Sequence, residues 1–156
     1  MNSKQQTEQQ PSAPPLIAIP ADIDPDYRER LQKLKNGNIV VQEDHPFVDV
    51  GEDTLVYVQD ARVLLSVVTD GSLIVRLTDL AKRCEYPVMI VVGNLYGKSP
   101  VDISRSRSIA GFLTHLELFT RIRTLQAPDR FHAVMMVQLL AKQAQRGFHS
   151  FGLEDL

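Results

Sequence analysis

The chain has 156 residues, 44% of them apolar, a net charge of −2 and one cysteine. That length suits one domain with a proper core and is too short for two large ones. The lone Cys84 excludes an internal disulfide and a cysteine-rich zinc site, and the chain has no run of about eighteen apolar residues and no signal-peptide h-region, so a soluble intracellular protein is expected.

Residues 1–20, MNSKQQTEQQPSAPPLIAIP, are rich in Gln, Pro and Ser, too poor in apolar groups to offset the entropy of ordering. A flexible tail over residues 1–22 is predicted. Within it, Leu16-Ile17-Ala18-Ile19 is an apolar island between prolines, suited to a sheet edge, a partner groove or a plain sticky tail. Asp24-Pro25 reads as an N-cap and first helical position, and Tyr27, Leu31 and Leu34 keep helical spacing up to the stop at Asn36-Gly37. Asn38 to Gln42 reads as the first strand, broken at His45-Pro46. The next strand, Leu55 to Val58, leads through a short apolar segment to a turn at Thr69-Asp70-Gly71-Ser72. An amphipathic helix from about Leu73 to Cys84 then runs to Tyr86-Pro87 and the apolar strand Val88 to Val92. Cys84 on that helix reads as a small core residue rather than a reactive thiol.

Gly93 to Pro100 reads as a loop beyond the carboxyl end of a central strand, where α/β sheets place their ligand sites. It lacks the glycine spacing of a P-loop. Lys98, Arg105 and Arg107 are the candidate DNA-binding residues, and Ser104, Ser106 and Ser108, alternating with the arginines, suit a phosphate-contact, phosphorylation or merely solvated loop better than a nucleophile site. A helix from Ser108 to Phe119 carries the core stripe Ile109, Phe112, Leu113 and Leu116. Arg121 to Leu125 alternates as a strand, ending at Ala127-Pro128-Asp129. The final helix, about Asp129 to Arg146, is apolar on more than one face, which makes Met135, Met136, Val137 and Leu140 candidate partner-binding residues. The competing reading buries that helix wholly in its own core. Residues 23–147 thus form the predicted domain and 148–156 a C-terminal tail.

Catalytic sets do not assemble. His45, His115, His132 and His149 are dispersed, and the chain has no His-x-x-x-His pair and no Gly-x-Ser-x-Gly elbow. Residues 1–60 hold five Lys/Arg against eleven Asp/Glu, and residues 61–156 twelve against eight. A mildly basic core permits phosphate contact without demanding it.

Between Leu55 and Asn94 the layout resembles the nuclease domain of the XPF family of DNA-junction endonucleases. There a Gly-Asp precedes Glu-Arg-Lys on a strand, an Asp three residues on, a Ser-x-x-x-Gly-x-Leu segment, a helix and a Pro-started apolar strand. Ser66, Gly71, Leu73, Pro87 and Val88-Met89-Ile90-Val91-Val92 match the later part, and the resemblance extends over roughly residues 50–145. Counting back from Ser66 and Gly71 without gaps, the Glu-Arg-Lys positions fall on Tyr57, Val58 and Gln59, and the Asp on Val63. Mg²⁺ needs carboxylate oxygen, and the bound metal supplies the activated water in phosphodiester hydrolysis. Tyr, Val and Gln do not replace that set. Asp53 stands near the Gly-Asp position, and Asp60 is one residue out of register, on the opposite face of the strand.

The resemblance implies a three-layer α/β domain, restriction-nuclease-like, with a mainly parallel central sheet flanked by helices. It implies a degenerate, non-catalytic subunit of a DNA-repair or recombination complex, nuclear, of the interstrand-crosslink-repair or meiotic-crossover type. Its C-terminal helices would bind an XPF-like or related subunit, or a second copy, with weak contact to branched DNA and no cofactor or small-molecule substrate. The helix-hairpin-helix module that usually follows such domains is not expected in residues 148–156. Two other readings stay open: a metal-dependent nuclease using Asp53 and Asp60, and an adaptor unrelated to DNA on a Rossmann-like domain.

Overall fold

A computed structural model describes residues 14–34, 38–43, 45–67, 71–93 and 100–146, with the side chains of 65–67 and 100–106 outside that description. Among the described residues, eleven elements follow one another: β1 (Leu16–Pro20), α1 (Pro25–Gln32), β2 (Asn38–Gln42), β3 (Val48–Gly51), β4 (Thr54–Asp60), α2 (Ala61–Val67), α3 (Ser72–Arg83), β5 (Tyr86–Val92), α4 (Pro100–Phe119), β6 (Arg123–Ala127) and α5 (Arg130–Gln145). The strands form one six-stranded sheet in the order β2-β1-β3-β4-β5-β6. β1 runs parallel to β2 and β4 parallel to β5 and β6, while β3 is antiparallel to both β1 and β4. The sheet is therefore mixed, and the expectation of a mainly parallel one is only partly met.

The exception is β3, which the sequence reading missed. It pairs with β4 through a turn in which Gly51, Glu52 and Asp53 all take positive φ, at 93°, 49° and 56°. Glycine adopts that conformation freely, and Asp is among the few other residues that tolerate it. Asp53 is also tied down, since its carboxylate accepts the Glu85 N–H at 3.1 Å.

Residues 16–20 correct the predicted tail. Ile17 and Ile19 are fully buried and the strand lies inside the sheet, between β2 and β3. Of the predicted pairing modes for the apolar island, sheet pairing is the one observed. The remainder of the proposed tail up to residue 13, and residues 147–156, lie outside the described residues.

Alternation along the strands divides the core into two halves. On one face Val88, Ile90 and Val92 of β5 and Val56 of β4 pack under α1 and α5 with Tyr27, Leu31, Val134 and Val137. On the other, Met89, Val91 and Leu55 meet α2, α3 and α4 through Leu64, Leu77, Ile109 and Leu113. β5 is buried on both faces, which is why its sequence is a continuous apolar run.

Candidate functional site

The side chains of β4 alternate, and its last residues carry polar groups to both sides of the sheet. Tyr57 and Gln59 share the face covered by α2 and α3, and Asp60 follows Val56 and Val58 on the face of α1 and α5. A cleft of about 250 Å³ opens at this end of the strand, lined by Tyr27, Tyr57, Gln59, Asp60, Val63 and Arg76 among others.

Asp60 is held from two directions. The Tyr27 hydroxyl donates to its Oδ1 at 2.7 Å, and Arg130 Nη2 donates to its Oδ2. The same guanidinium reaches Asp26 Oδ2 at 2.9 Å and Asp24 Oδ1 at 3.3 Å, and lies 4.5 Å from the centre of the Tyr27 ring. α1 supplies Asp26 and Tyr27 and its N-cap is Asp24, β4 supplies Asp60 and α5 supplies Arg130, so one cluster fastens three elements. Burial, reinforced by the Asp60 hydrogen bond, pushes the Tyr27 hydroxyl far above its ordinary range, so it remains a donor. The Asp60 hydrogen bond likewise holds the Arg130 guanidinium protonated. Hydrogen bonds from Arg130 and then Arg30 hold the Asp26 carboxyl below the usual range.

On the other face Gln59 Nε2 donates to Tyr57 Oη at 2.9 Å, and Gln59 Oε1 accepts the Asp60 N–H at 3.0 Å. Tyr57 also packs edge-on against Phe47, ring centres 6.1 Å apart, and the Arg76 guanidinium stands 6.0 Å from the Tyr57 ring.

These residues do not fit a divalent metal. A hard cation needs several free oxygen ligands, and both oxygens of Asp60 are already engaged. Asp53 sits at the opposite end of β4, seven residues away along an extended strand, or roughly 23 Å. The alternative acid pair of Asp53 and Asp60 therefore does not converge. Among the described residues, no group of three or more His, Cys, Asp or Glu side chains is placed to hold a metal ion.

The candidate DNA-binding residues are not gathered on a loop. Lys98 lies outside the described residues, and α4 begins at Pro100, so Arg105 and Arg107 are helical. Two positions apart on a helix stand about 200° apart around its axis, which separates two arginines that a loop would have let converge. Arg107 is exposed.

The candidate partner-binding residues divide too. Val137 and Leu140 are 2% and 6% exposed and belong to the domain's own core, and Met136 is half-buried against it. They are corrected as surface residues; of the four only Met135 is open to solvent. The outer stripe of α5 is Phe131, Met135 and Leu139, exposed by 59%, 46% and 56% at four-residue spacing. Small residues, Ala133, Ala141 and Ala144, let the opposite side of α5 sit close on the sheet. Beside the stripe, a groove of about 380 Å³ separates α5 from α1, floored by Leu34, Phe131, Val134 and Met135 and rimmed by Asp26, Glu29, Arg30 and Lys33.

No protein-family model and no curated protein matches the chain. Among solved structures, XPF from Aeropyrum pernix aligns with a TM-score of 0.74 at 19% identity, over 86% of this chain and 67% of that one. XPF from the same organism in complex with DNA aligns with a TM-score of 0.70 at 18% identity, over 85% and 66%. This chain thus spans about two thirds of their length. The shared feature is the fold, a helix-flanked sheet of the XPF type.

Proposed function

We propose that this chain is a non-catalytic, nuclear subunit of a DNA-repair or recombination complex, of the interstrand-crosslink-repair or meiotic-crossover type. It associates with an XPF-like or related subunit, or with a second copy, through the outer face of α5. The observation that carries the reading is the end of β4. Where the family resemblance calls for Glu-Arg-Lys this chain has Tyr57, Val58 and Gln59, the first and last joined by a hydrogen bond, and the neighbouring carboxylate is consumed by Tyr27 and Arg130. The likeness to an XPF structure solved with DNA supports placing the protein on DNA. With Lys98, Arg105 and Arg107 as the candidate phosphate contacts, direct DNA binding is weak and falls as salt rises.

The test has two arms. Purified protein with Mg²⁺ or Mn²⁺ leaves fork, flap and Holliday-junction DNA intact; cleavage that disappears in Asp60→Asn overturns the non-catalytic assignment. Phe131→Glu remains folded by circular dichroism and no longer co-purifies with the subunit that the wild-type chain retains; undiminished co-purification removes α5 as the interface.

A further inference from the structure

We propose that β2, the bare edge of the sheet, pairs antiparallel with β2 of a second copy of this chain, about a two-fold axis through Val40, so that the two sheets run on as one. The contact lies apart from the α5 stripe and does not depend on it.

The two edges of the sheet are finished differently. At the β6 edge the Glu117 carboxylate accepts the Thr124 N–H at 2.6 Å. Backbone groups alternate in direction along a strand, and Ala127 turns its C=O inward to the Gly93 N–H, so Thr124 is a residue whose backbone faces away from the sheet. A side chain of α4 thus stoppers that edge. β2 has no such guard among the described residues. Its sequence, Asn-Ile-Val-Val-Gln, holds no charge and no proline, and its register with β1 runs from Asn38 to Gln42 without a bulge. Charges, prolines and bulges are the devices that keep edge strands from pairing, and a strand lacking all three is a template for another.

Backbone direction sets the register. The Asn38 N–H donates to the Pro15 C=O at 3.3 Å, and the Gln42 C=O accepts the Ala21 N–H at 3.0 Å, so positions 38, 40 and 42 bond toward β1. Ile39 and Val41 therefore turn both N–H and C=O outward. An antiparallel copy centred on Val40 sets Ile39 against the partner's Val41, and Val41 against the partner's Ile39, as the pairs that exchange hydrogen bonds. Val40 meets its own copy between them, in a close pair without hydrogen bonds. The strand reversed matches every outward group of the strand itself, which is the self-complementarity a closed two-fold contact requires.

Side chains and charge agree with that axis. Val40 and Val41 point to opposite faces and are 40% and 44% exposed, so apolar surface is left open on both sides of the edge. Val41 shares its face with α1, and its exposure means that α1 does not overhang the place a neighbouring strand would take. In sequence, Lys33 and Lys35 precede β2 and Glu43 and Asp44 follow it. An antiparallel copy brings unlike ends together; a parallel one would bring like ends together.

The full chain is examined by analytical ultracentrifugation over a concentration series, with circular dichroism as the folding control. Wild type gives a monomer–dimer equilibrium, and Phe131→Glu keeps it. Val40→Lys and Val40→Glu each weaken it on the order of tenfold or more, because the introduced charge faces its own copy. Mixing these two variants yields a heterodimer preferred over either homodimer, an outcome peculiar to an axis at position 40. Val41→Pro removes an outward N–H from each chain while leaving the ladder to β1 intact, and weakens the dimer by roughly tenfold to a hundredfold. A monomer at every concentration overturns the inference, as does a dimer indifferent to the Val40 variants or a mixture with no preference. A dimer abolished by Phe131→Glu overturns it as well and leaves α5 as the interface. A Phe131→Glu variant that still co-purifies with an XPF-like subunit sinks the α5 reading alone, and the β2 pairing stands.

Discussion

Asp60 shows how far one side chain's role depends on what reaches it. On β4 it is a carboxylate near the end of a strand, a place where the family resemblance calls for metal-binding acids. In the folded chain it accepts from Tyr27 and Arg130 and is a fastening point. Removing the tyrosine hydroxyl leaves a charged oxygen at a partly buried position without its donor, and hydrogen bonds to charged groups contribute about 1.5 to 3 kcal/mol. Because Asp60 keeps some contact with water, Tyr27→Phe is expected at the low end, about 1 to 2 kcal/mol less stable in urea unfolding. A double-mutant cycle with Asp60→Asn should give a coupling of at least about 0.5 kcal/mol; additive losses would mean the two groups stabilise the fold separately. None of this was legible in the sequence. Tyr27, Asp60 and Arg130 come from three distant segments, and no periodicity or spacing links them. The absence of acids at Tyr57, Val58 and Gln59 could be read directly, since it needs only a register count.

At the scale of elements, the long apolar patterns were readable and the two-sided ones were not. The helix ending at Cys84 and the strand Val88 to Val92 emerge as α3 and β5, because periodicity of 3.6 and a continuous apolar run each have one meaning when flanked by turn residues. α5 was ambiguous because Val137, Met135 and Leu139 look alike in composition while only one of them faces the sheet. The structure resolves that by the alanines, which mark the side of close approach. Val137→Glu should therefore unfold the domain, at a cost of about 3 to 5 kcal/mol for an unpaired buried charge, whereas Met135→Glu should shift stability by less than about 0.5 kcal/mol. Thermal melts of the two variants decide it; equal losses would mean that the helix is rotated from its described orientation. β1 was read only as an apolar island able to pair with a sheet edge, inside a stretch taken as a tail, because composition averaged over twenty residues hides a five-residue strand.

For the whole molecule, β1 matters more than its length implies. It is hydrogen-bonded to β2 on one side and meets β3 on the other, so it joins β2 to the rest of the sheet. A chain lacking residues 1–22 should lose the cooperative unfolding transition of the full chain, through the loss of Ile17 and Ile19 from the core and of the strand that β2 pairs with. Retention of a cooperative transition within a few degrees of the intact chain would restore the tail reading. The fastening of Arg130 to Asp24 carries a last consequence, for the order of events during synthesis. The two residues are 106 positions apart, so when α1 leaves the ribosome its anchoring cation has yet to be made. Closing so long a loop carries an entropic cost that must be met before its contacts are gained. The first third of the chain must then wait, its apolar strands unpaired with their final cover, until α5 arrives to shut the sheet, an interval in which nascent chains of this kind are open to capture by chaperones.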